Sequence, residues 1–444
     1  MKQFSSIEKF VLDISWEDFP KIVQDHAVKC LLDLIGVFCA GSRTSSTKMA
    51  ADFAYSFFPG TEATIFSSGK KTSLIGAAMA NAGCANALDM DDGFSLLKGH
   101  PGAGILGGLL AAAEYSKCTY REFLTALVVG YEVTIRQGIA IQDYYSFYHS
   151  TGSYAAFGTV ACVGRLLGLS EKKLFNAFSI ADYFAPMTPC MRSVKSPSMN
   201  KDGIYLGAQL GMQAALMARE GIYGGDYILS DDKYYAEIDS LGTEYKFLKL
   251  YFKFYACCRW AHSAIRAALT LTDSCVITID EIVHIHIESF NAAGALFEGY
   301  PQNEEEAQYN LRYPIAAALL YGDCGPAEVT EKAFRNKNIT RLMDSMSFSV
   351  KPEYDAMFPE RRVCEMTIET IDGKVFKSGP CEPSGERSVE TTMKEVREKF
   401  YKITRDVLHP EKAKELIDWL EDKNMDRPMD EFFTLMKDGL GEKR

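Results

Sequence analysis

A short acidic segment between two uncharged stretches constrains this chain more than any other feature. An alanine-rich stretch leads into Asp89, Asp91 and Asp92, and His100 follows eight residues after the last of them. Residues 99–113 then contain no Lys, Arg, Asp or Glu. Uncharged stretches of this kind favour buried helices, so the acidic residues are predicted to lie inside a helical core. Carboxylates and an imidazole held there indicate acid–base chemistry, and a polar loop with an N-capping His-Pro pair is the alternative.

Length and composition describe an ordinary globular chain. Its 444 residues are 47% hydrophobic and 24% charged, which predicts two or three domains and argues against disorder. The formal net charge of −11 and the pI near 5.3 argue against binding to nucleic acid. If the substrate is an anion, the cations that hold it must therefore be local.

Cysteine usage and apolar patterning bear on where the protein works. The 12 cysteines include no Cys-x-x-Cys pair, so free thiols in a reducing compartment are predicted rather than zinc ribbons or iron–sulfur clusters. Charges near the N-terminus argue against a signal peptide. The longest uncharged apolar stretches, 72–88 and 203–218, are too short to span a membrane. We expect a cytoplasmic protein with no membrane partner.

The pattern of residues up to about 270 predicts helices almost throughout. Thr119 and Glu122 have the spacing of a capping box, and Ser170 before Glu171 is a predicted N-cap. Small residues recur at every fourth position over residues 203–215. This spacing lets a second helix approach closely, so it predicts tight helix packing.

Beyond that point the periodicity changes to that of strands. Apolar residues alternate with polar ones over residues 283–290 and 346–350. Asp372-Gly373 predicts a hairpin turn between two further strands. Between these strands, residues 308–320 are predicted to form a helix.

Together the patterns predict a mainly α protein with two units. A large all-helical domain spans residues 1–271 and is completed by helices within residues 394–444, which are expected to pack back on it. Residues 272–393 are expected to form a smaller α+β lid domain. The boundaries are placed near Asp273 and in the loop 380–386.

Several ionisable residues outside the acidic segment stand in apolar surroundings. His149 lies directly before a Gly/Ala-rich helix, at a position where free backbone N–H groups can bind an anion. Lys201 precedes the tightly packed helix, and Lys253 lies in an aromatic and sulfur-rich segment. Either ammonium would neutralise a carboxylate, with Arg136 or Arg259 in support. The alternatives are a structural histidine and lysines whose stems carry the charge to solvent.

Familiar motifs give little support to other functions. Residues 102–107 match Gly-x-Gly-x-x-Gly, but they follow a helical region and not a strand, so close helix packing explains the glycines better. The sequence contains no P-loop, no His-Glu-x-x-His and no Gly-x-Ser-x-Gly. Phosphate-loop, zinc-protease and common hydrolase functions are therefore not predicted.

The chain resembles the MmgE/PrpD family, which includes 2-methylcitrate dehydratase, cis-aconitate decarboxylase and iminodisuccinate epimerase. The resemblance starts from an Ala-Leu-Asp-x-Asp-Asp…His-Pro pattern and keeps its order through residues 86–103, 130–136, 148–169, 201–221, 252–262 and 307–313. It implies an all-helical main domain, an α+β lid, a homodimer and a reaction that needs no metal or other cofactor.

Position by position, the resemblance implies a site made of Asp89, His100, His149, Lys201, Lys253 and Tyr313. The spacing from Asp-Asp to His-Pro is one residue longer than in the family's pattern, and three places carry other residues. Asn86 stands for the more usual His, Gly93 for a frequent Thr, and Asp202-Gly203 for a basic run that often follows the lysine. These departures leave the fold expectation intact but do not allow any one member's substrate to be transferred.

We expect a small di- or tricarboxylate held by Lys201, Lys253 and Arg136, whose charges would stabilise the anion formed when a proton alpha to a carboxylate is removed. One of the two histidines would act as base and the other as acid, with Asp89 orienting one of them and Tyr313 donating a proton or hydrogen bond. Dehydration of a citrate- or 2-methylcitrate-like hydroxy acid is the leading hypothesis. Epimerisation, decarboxylation and non-catalytic carboxylate binding are the alternatives.

Overall fold

The computed structural model describes residues 3–274, 277–386 and 390–441. The protein is mainly α-helical, as predicted. The helices of the first part are α1 (Ile7–Asp13), α2 (Lys21–Gly41), α3 (Ser45–Phe57), α4 (Leu74–Asn86), α5 (Pro101–Ser116), α6 (Tyr120–Tyr144), α7 (Gly152–Leu166), α8 (Glu171–Phe184), α9 (Met191–Lys195), α10 (Ile204–Arg219), α11 (Tyr235–Asp239) and α12 (His262–Ser274). A small hairpin, β1 (Ala63–Ile65) and β2 (Lys70–Thr72), lies between α3 and α4.

Strands and short helices alternate in the second part, and helices return at the end. The second part contains β3 (Ile282–Ser289), α13 (Asn291–Gly294), α14 (Glu304–Gln308), α15 (Arg312–Tyr321), α16 (Glu331–Phe334), α17 (Lys337–Asp344), β4 (Met346–Val350), α18 (Pro352–Asp355), β5 (Cys364–Thr370) and β6 (Val375–Lys377). The last helices are α19 (Met393–Thr404), α20 (Pro410–Glu421) and α21 (Met429–Gly441).

The predicted helix starts are confirmed. Thr119 caps α6 by accepting the N–H of Glu122, whose carboxylate in turn accepts the N–H of Thr119 at 2.8 Å. Ser170 caps α8 by accepting the N–H of Lys173. Among the described residues, α6 is the one helix that length and composition would allow to cross a membrane, and 94% of its most apolar window is buried inside the protein.

Four helices of the first part, α4, α5, α7 and α10, pack closely because glycine lies where they meet. A Cβ at Gly107 of α5 would overlap the carbonyl oxygen of Ala78 in α4. A Cβ at Gly207 of α10 would come within 2.6 Å of the carbonyl oxygen of Gly152 in α7. The small-residue spacing seen in the sequence therefore reflects direct backbone contact. The candidate site lies at the ends of these same helices.

The larger sheet has the strand order β4-β3-β5-β6, with β3 and β4 parallel and the other pairs antiparallel. The predicted turn at Asp372-Gly373 joins β5 to β6. The predicted helix over 308–320 is confirmed from Arg312 onward, as α15, but it begins later than expected because Gln308 ends α14 and a break follows. The side chain of Asn310 accepts the N–H of Tyr313 at 2.9 Å and so starts the second helix separately.

Two large groups of buried apolar residues lie on either side of the candidate site. The first is built from helices of the first part together with α19, α20 and α21, and α19 packs on α2. The second lies around the larger sheet, α12 and α15. The exact division into a helical domain and a lid stays a prediction.

Candidate active site

The predicted acidic segment forms a buried turn between α4 and α5. Asp89 adopts a left-handed backbone conformation with φ of 51°, and Asp89, Asp91 and Asp92 are all buried. His100 lies at the N-terminal end of α5, where its backbone N–H donates to Thr151 Oγ1 at 3.1 Å. The segment is thus buried and not a surface loop, although His100 and Pro101 do stand at the N-cap and first position of α5, as in the alternative interpretation.

His100 is surrounded by carboxylates. Its Nε2 lies 3.2 Å from Asp89 Oδ1 and 3.7 Å from Asp202 Oδ2. Its Nδ1 lies 3.2 Å from Asp91 Oδ2 and 3.0 Å from the backbone oxygen of Asp92. Both ring nitrogens therefore face acceptors, which is the setting of a protonated imidazole.

Lys253 completes this group from the other side. Its Nζ lies 2.8 Å from Asp89 Oδ2, and its side chain is completely buried. We refer to Asp89, Asp91, His100, Asp202 and Lys253 as the His100 cluster. In the described part of the chain, both oxygens of Asp89 and the Nζ of Lys253 have charged neighbours but no hydrogen-bond partner of good geometry. The cluster therefore retains hydrogen-bonding capacity for a ligand.

Lys201 borders the His100 cluster. Its backbone is left-handed, with φ of 37°, which is uncommon for a residue other than glycine. Its ammonium donates to the backbone oxygens of Asn86 at 3.0 Å and Ala87 at 2.5 Å and to Gln308 Oε1 at 2.6 Å. Backbone strain costs on the order of 1–3 kcal/mol and concentrates at functional sites, and here it affects Asp89 and Lys201 together.

Mutual electrostatics set the protonation of the cluster. Burial acts to lower the pKa of His100, but Asp91 and Asp89 outweigh it and raise that pKa well above its ordinary value. Burial likewise opposes the charges of Asp89 and Lys253. Their attraction nevertheless lowers the pKa of the carboxyl and raises the pKa of the ammonium. The resting cluster thus holds a protonated imidazole and an ammonium beside the ionised carboxylate of Asp89.

Burial is the main cause of the pKa shifts of two further groups. Desolvation lowers the pKa of Lys201, and Asp89 acts in the opposite direction. Desolvation raises the pKa of Asp202, whose Oδ2 accepts a hydrogen bond from Tyr309 at 2.9 Å. Neither Asp202 nor Tyr309 was singled out from the sequence as a site residue. The available signals were the acidic departure directly after Lys201 and the position of Tyr309 four residues before the expected Tyr313.

Three residues of the cluster lie close enough together to hold a metal ion. One ligand atom each of Asp89, His100 and Asp202 lie within 4.8 Å of one another. The ammonium of Lys253 already neutralises Asp89, and a protonated His100 cannot donate an electron pair to a metal. The arrangement therefore fits proton transfer better than a cation.

The C-terminal helix α19 supports the acidic turn. Lys399 is buried and its ammonium donates to Asp33 Oδ1 at 2.6 Å and to the backbone oxygen of Met90 at 2.9 Å. It thereby ties α19 and α2 to the turn that carries Asp89 and Asp91. Because the pair is buried, its loss would leave an uncompensated charge next to the cluster.

His149 is not brought to the cluster. Its ring packs on Phe147, at 4.0 Å between ring centroids, and on Tyr145, at 5.2 Å. Both ring nitrogens are buried and have no hydrogen-bond partner in the described part of the chain. Desolvation lowers the pKa of this histidine, so its ring is neutral. The backbone of His149 does approach the site, because it pairs with Pro189 on the loop that leads to Lys201.

Arg136 and Tyr313 hold other parts of the fold together. The buried guanidinium of Arg136 donates to Glu132 Oε2 at 3.1 Å, to Ser240 Oγ at 2.7 Å and to backbone oxygens near Ser240. The hydroxyl of Tyr313 donates to the backbone oxygen of Glu328. The structure therefore unites Asp89, His100, Lys201 and Lys253 but leaves His149, Arg136 and Tyr313 outside the group.

The departure at Gly93 has a structural explanation. Gly93 and Tyr251 exchange two backbone hydrogen bonds, of 3.0 and 2.9 Å. A Cβ at position 93 would overlap the hydroxyl and ring of Tyr251. A threonine therefore cannot occupy this position without moving Tyr251. The other departure, Asn86, donates from its side chain to Asp91 Oδ1 at 3.1 Å and is thus part of the same turn.

Two cavities meet at Lys201. One, of about 440 Å³, has a polar lining that includes Ser150, Arg192 and Asn200. The other, of about 200 Å³, is mostly apolar and includes Met49, Met79 and Met199. A larger cavity of about 640 Å³ between α1 and α8 is lined by neither Lys201 nor the His100 cluster, whereas the two cavities above include Lys201, which borders the cluster, but no member of it. The polar cavity is therefore the opening that best suits an anionic ligand.

Two family models match consecutive parts of the chain. Residues 5–248 match the MmgE/PrpD N-terminal domain, and residues 255–423 match the MmgE/PrpD C-terminal domain. The chain belongs to the MmgE/PrpD family.

Its relatives are distant but match over most of their length. A cis-aconitate decarboxylase-like protein of Aspergillus oryzae is 24% identical over 452 residues, which cover 92% of this chain and 91% of the relative. The cis-aconitate decarboxylase of Aspergillus terreus is 23% identical, with 86% of this chain and 85% of the relative covered. The human cis-aconitate decarboxylase is 22% identical, with 80% and 78% covered.

Proposed function

We propose that this protein is a lyase that acts on a small di- or tricarboxylate by proton transfer within the His100 cluster. The observation that carries the proposal is the buried His100 imidazole, held between Asp89 and Asp91 at 3.2 Å, with the ammonium of Lys253 2.8 Å from Asp89. Ordinary structural ion pairs do not require three carboxylates, two ammonium groups and an imidazole in one buried place. Family membership supports the same class of reaction.

Dehydration of a citrate-like hydroxy acid is the leading reaction. A base removes the proton alpha to a carboxylate, and the electron pair forms the new double bond as the C–O bond breaks. The hydroxyl leaves as water with a proton from His100, which starts protonated. The carboxylate of Asp202, whose pKa burial raises, accepts the first proton, and the ammonium groups of Lys201 and Lys253 stabilise the developing negative charge.

Decarboxylation is the second candidate, and two observations favour it. The relatives named above are cis-aconitate decarboxylases or are named after that enzyme. The resting cluster also holds a proton donor, His100, while the neutral His149 lies apart from it. In decarboxylation of an unsaturated acid, the C–C bond to one carboxylate breaks, its electron pair shifts through the double bond, and the far alkene carbon takes a proton from the donor. This reaction needs no separate base.

Proton NMR in deuterated water separates these reactions. Citrate, 2-methylcitrate, cis-aconitate and an iminodisuccinate analogue would each be incubated with the full chain and with its His100→Ala variant. New alkene signals from a hydroxy acid indicate dehydration, and a deuterated product that has lost a carboxylate indicates decarboxylation. Exchange with inversion of configuration indicates an epimerase.

The outcomes against the proposal are equally distinct. Line broadening of an acid without exchange or product would make the protein a carboxylate-binding protein. Equal turnover by the wild type and His100→Ala would show that the reaction occurs elsewhere. The homodimer and the cytoplasmic location stay predictions, and so do a polycarboxylate as partner and the need for no cofactor.

A further inference from the structure

The polar cavity beside Lys201 is formed by the chain between α8 and α10. Its walls include hydroxyl groups from Ser193, Ser196 and Ser198, and its volume is about 440 Å³. Backbone hydrogen bonds fix the wall: the N–H of Ser196 donates to the backbone oxygen of Arg192, and the N–H of Lys201 donates to that of Ser198. The wall of the cavity is therefore held in place by the backbone, and Lys201 lies at its end.

Arg192 is the second cation that lines this cavity. It lies on α9, its side chain is exposed, and it makes no ion pair with the described residues. The contrast is with Arg136 and Arg259, whose buried guanidinium groups are each paired with a glutamate. In a chain with a net charge of −11, an unpaired guanidinium facing a cavity full of hydroxyls is available for an anion.

Lys201 itself cannot supply the hydrogen bonds that a carboxylate needs there. Its three N–H donors match three acceptors: the backbone oxygens of Asn86 and Ala87 and the side chain of Gln308. Lys201 therefore contributes positive charge, and the donors for a carboxylate in the cavity must come from Arg192 and the serine hydroxyls.

We propose that Arg192, with the hydroxyls of Ser193 and Ser196, binds a second carboxylate of the substrate while the reacting end lies at Lys201 and the His100 cluster. The inference rests on the proposed function and narrows it, because the substrate must then carry at least two carboxylates. Arg192 is a specificity-determining residue in this arrangement. The contact between Arg192 and the second carboxylate positions the reacting carbon, although it lies away from that carbon.

The apolar cavity on the other side of Lys201 defines the competing possibility. Its lining of Met49, Met79 and Met199 would suit an acid with a single carboxylate and an alkyl chain. Such a ligand would not need Arg192. The two possibilities therefore differ in how binding depends on one charged side chain.

The test is isothermal titration calorimetry of the full chain with tricarballylate, which has three carboxylates and no hydroxyl to lose, and with butyrate and octanoate, which have one. The variants are Arg192→Gln, which removes the charge and keeps a polar side chain, and Lys195→Gln as the matched control. Lys195 lies on the same helix, is also exposed and does not line the cavity. We expect Arg192→Gln to raise the Kd for tricarballylate by about 10-fold or more, as for loss of a charge-assisted hydrogen bond. Lys195→Gln should leave that Kd nearly unchanged.

Each of the following outcomes overturns the inference. They are equal weakening by both variants, full affinity in Arg192→Gln, and binding of octanoate but not of tricarballylate by the wild type. Absence of binding of all three acids also overturns it. The proposed function can fail separately. If the protein binds tricarballylate through Arg192 but exchanges no proton with any acid, the role of Arg192 stands and the lyase function is refuted. If the Arg192→Gln variant turns over a polycarboxylate as fast as the wild type, the lyase function stands and the role of Arg192 is refuted.

Discussion

His100 and His149 look alike in the sequence but lie in opposite surroundings. Each comes directly before or at the start of an apolar helix, and each was expected to exchange protons with the substrate. In the structure, His100 faces three carboxylates, whereas His149 packs between the aromatic rings of Tyr145 and Phe147. The position of a histidine on a helix therefore predicts its burial, whereas the groups around its ring decide whether it is protonated.

The largest expected effect separates the two histidines by turnover. Replacing His100 with Ala removes the proton donor of the cluster and should lower kcat by about 10²–10⁴-fold on the acid that the NMR assay identifies, the usual contribution of general acid–base catalysis. His149→Ala should lower it far less, because the ring lies outside the cluster. Steady-state kinetics with both variants checks this. An equal loss in His149→Ala would mean that His149 moves into the site when substrate binds.

The next effect concerns the support that only the His100 region has. Lys399→Met leaves Asp33 buried without its cation, so the free energy of unfolding should fall by about 3–5 kcal/mol. Lys402→Met, on the same helix, is the matched control. Lys402 pairs with Asp323 at 2.7 Å but is 46% exposed, and exposed pairs contribute about 1 kcal/mol or less. Urea denaturation of both variants measures the difference, and similar losses would show that Lys399 does not brace the turn.

A smaller effect is expected at Gly93, in the segment between the acidic turn and His100. Gly93→Ala places a Cβ against Tyr251 and should cost about 1–3 kcal/mol of stability by overpacking. At Gly225 nothing lies within 4 Å of the position a Cβ would take, so Gly225→Ala should leave stability nearly unchanged. Thermal melting compares the two. A neutral Gly93→Ala would show that Tyr251 can move, and that a threonine there is tolerated.

The sequence predicted the helices and strands well because their signals are local. The capping box at Thr119, the turn at Asp372-Gly373 and the alternation in β3 each depend on residues a few positions apart. The break between α14 and α15 was missed because the apolar pattern continues across it. The side-chain hydrogen bond of Asn310 that starts the second helix is not visible in periodicity.

The candidate site was predictable in part, for a related reason. Asp89 and His100 belong to one short segment, and Lys201 and Lys253 stood out as charges in apolar surroundings. Asp202 and Tyr309 meet only through long-range packing, since they are 107 positions apart in the chain. Arg136 was misleading because a buried arginine in a helix bonds equally well to structural partners, here Glu132 and Ser240.

The smallest effect, and the most direct comparison, is the titration of the two rings. Carboxylates raise the pKa of His100 well above its ordinary value of 6.5, and burial lowers that of His149. The stability that His100 contributes is therefore fully present below pH 6.5 and is lost as the pH rises through its raised folded-state pKa. The contribution of His149 has the opposite sign: it is present above pH 6.5 and is lost as the pH falls through its lowered pKa.

NMR of ¹³C-labelled histidine measures both rings in one sample, with His100→Gln and His149→Gln identifying the two signals. We expect the His100 ring to stay protonated above pH 6.5 and the His149 ring to stay neutral at that pH. Asp91→Asn removes a carboxylate 3.2 Å from Nδ1 of His100, so it should lower the pKa of His100 and leave that of His149 unchanged. A His100 ring that titrates at or below its ordinary value would mean that the carboxylates do not hold its proton. The role of His100 as the acid would then pass to another group of the cluster.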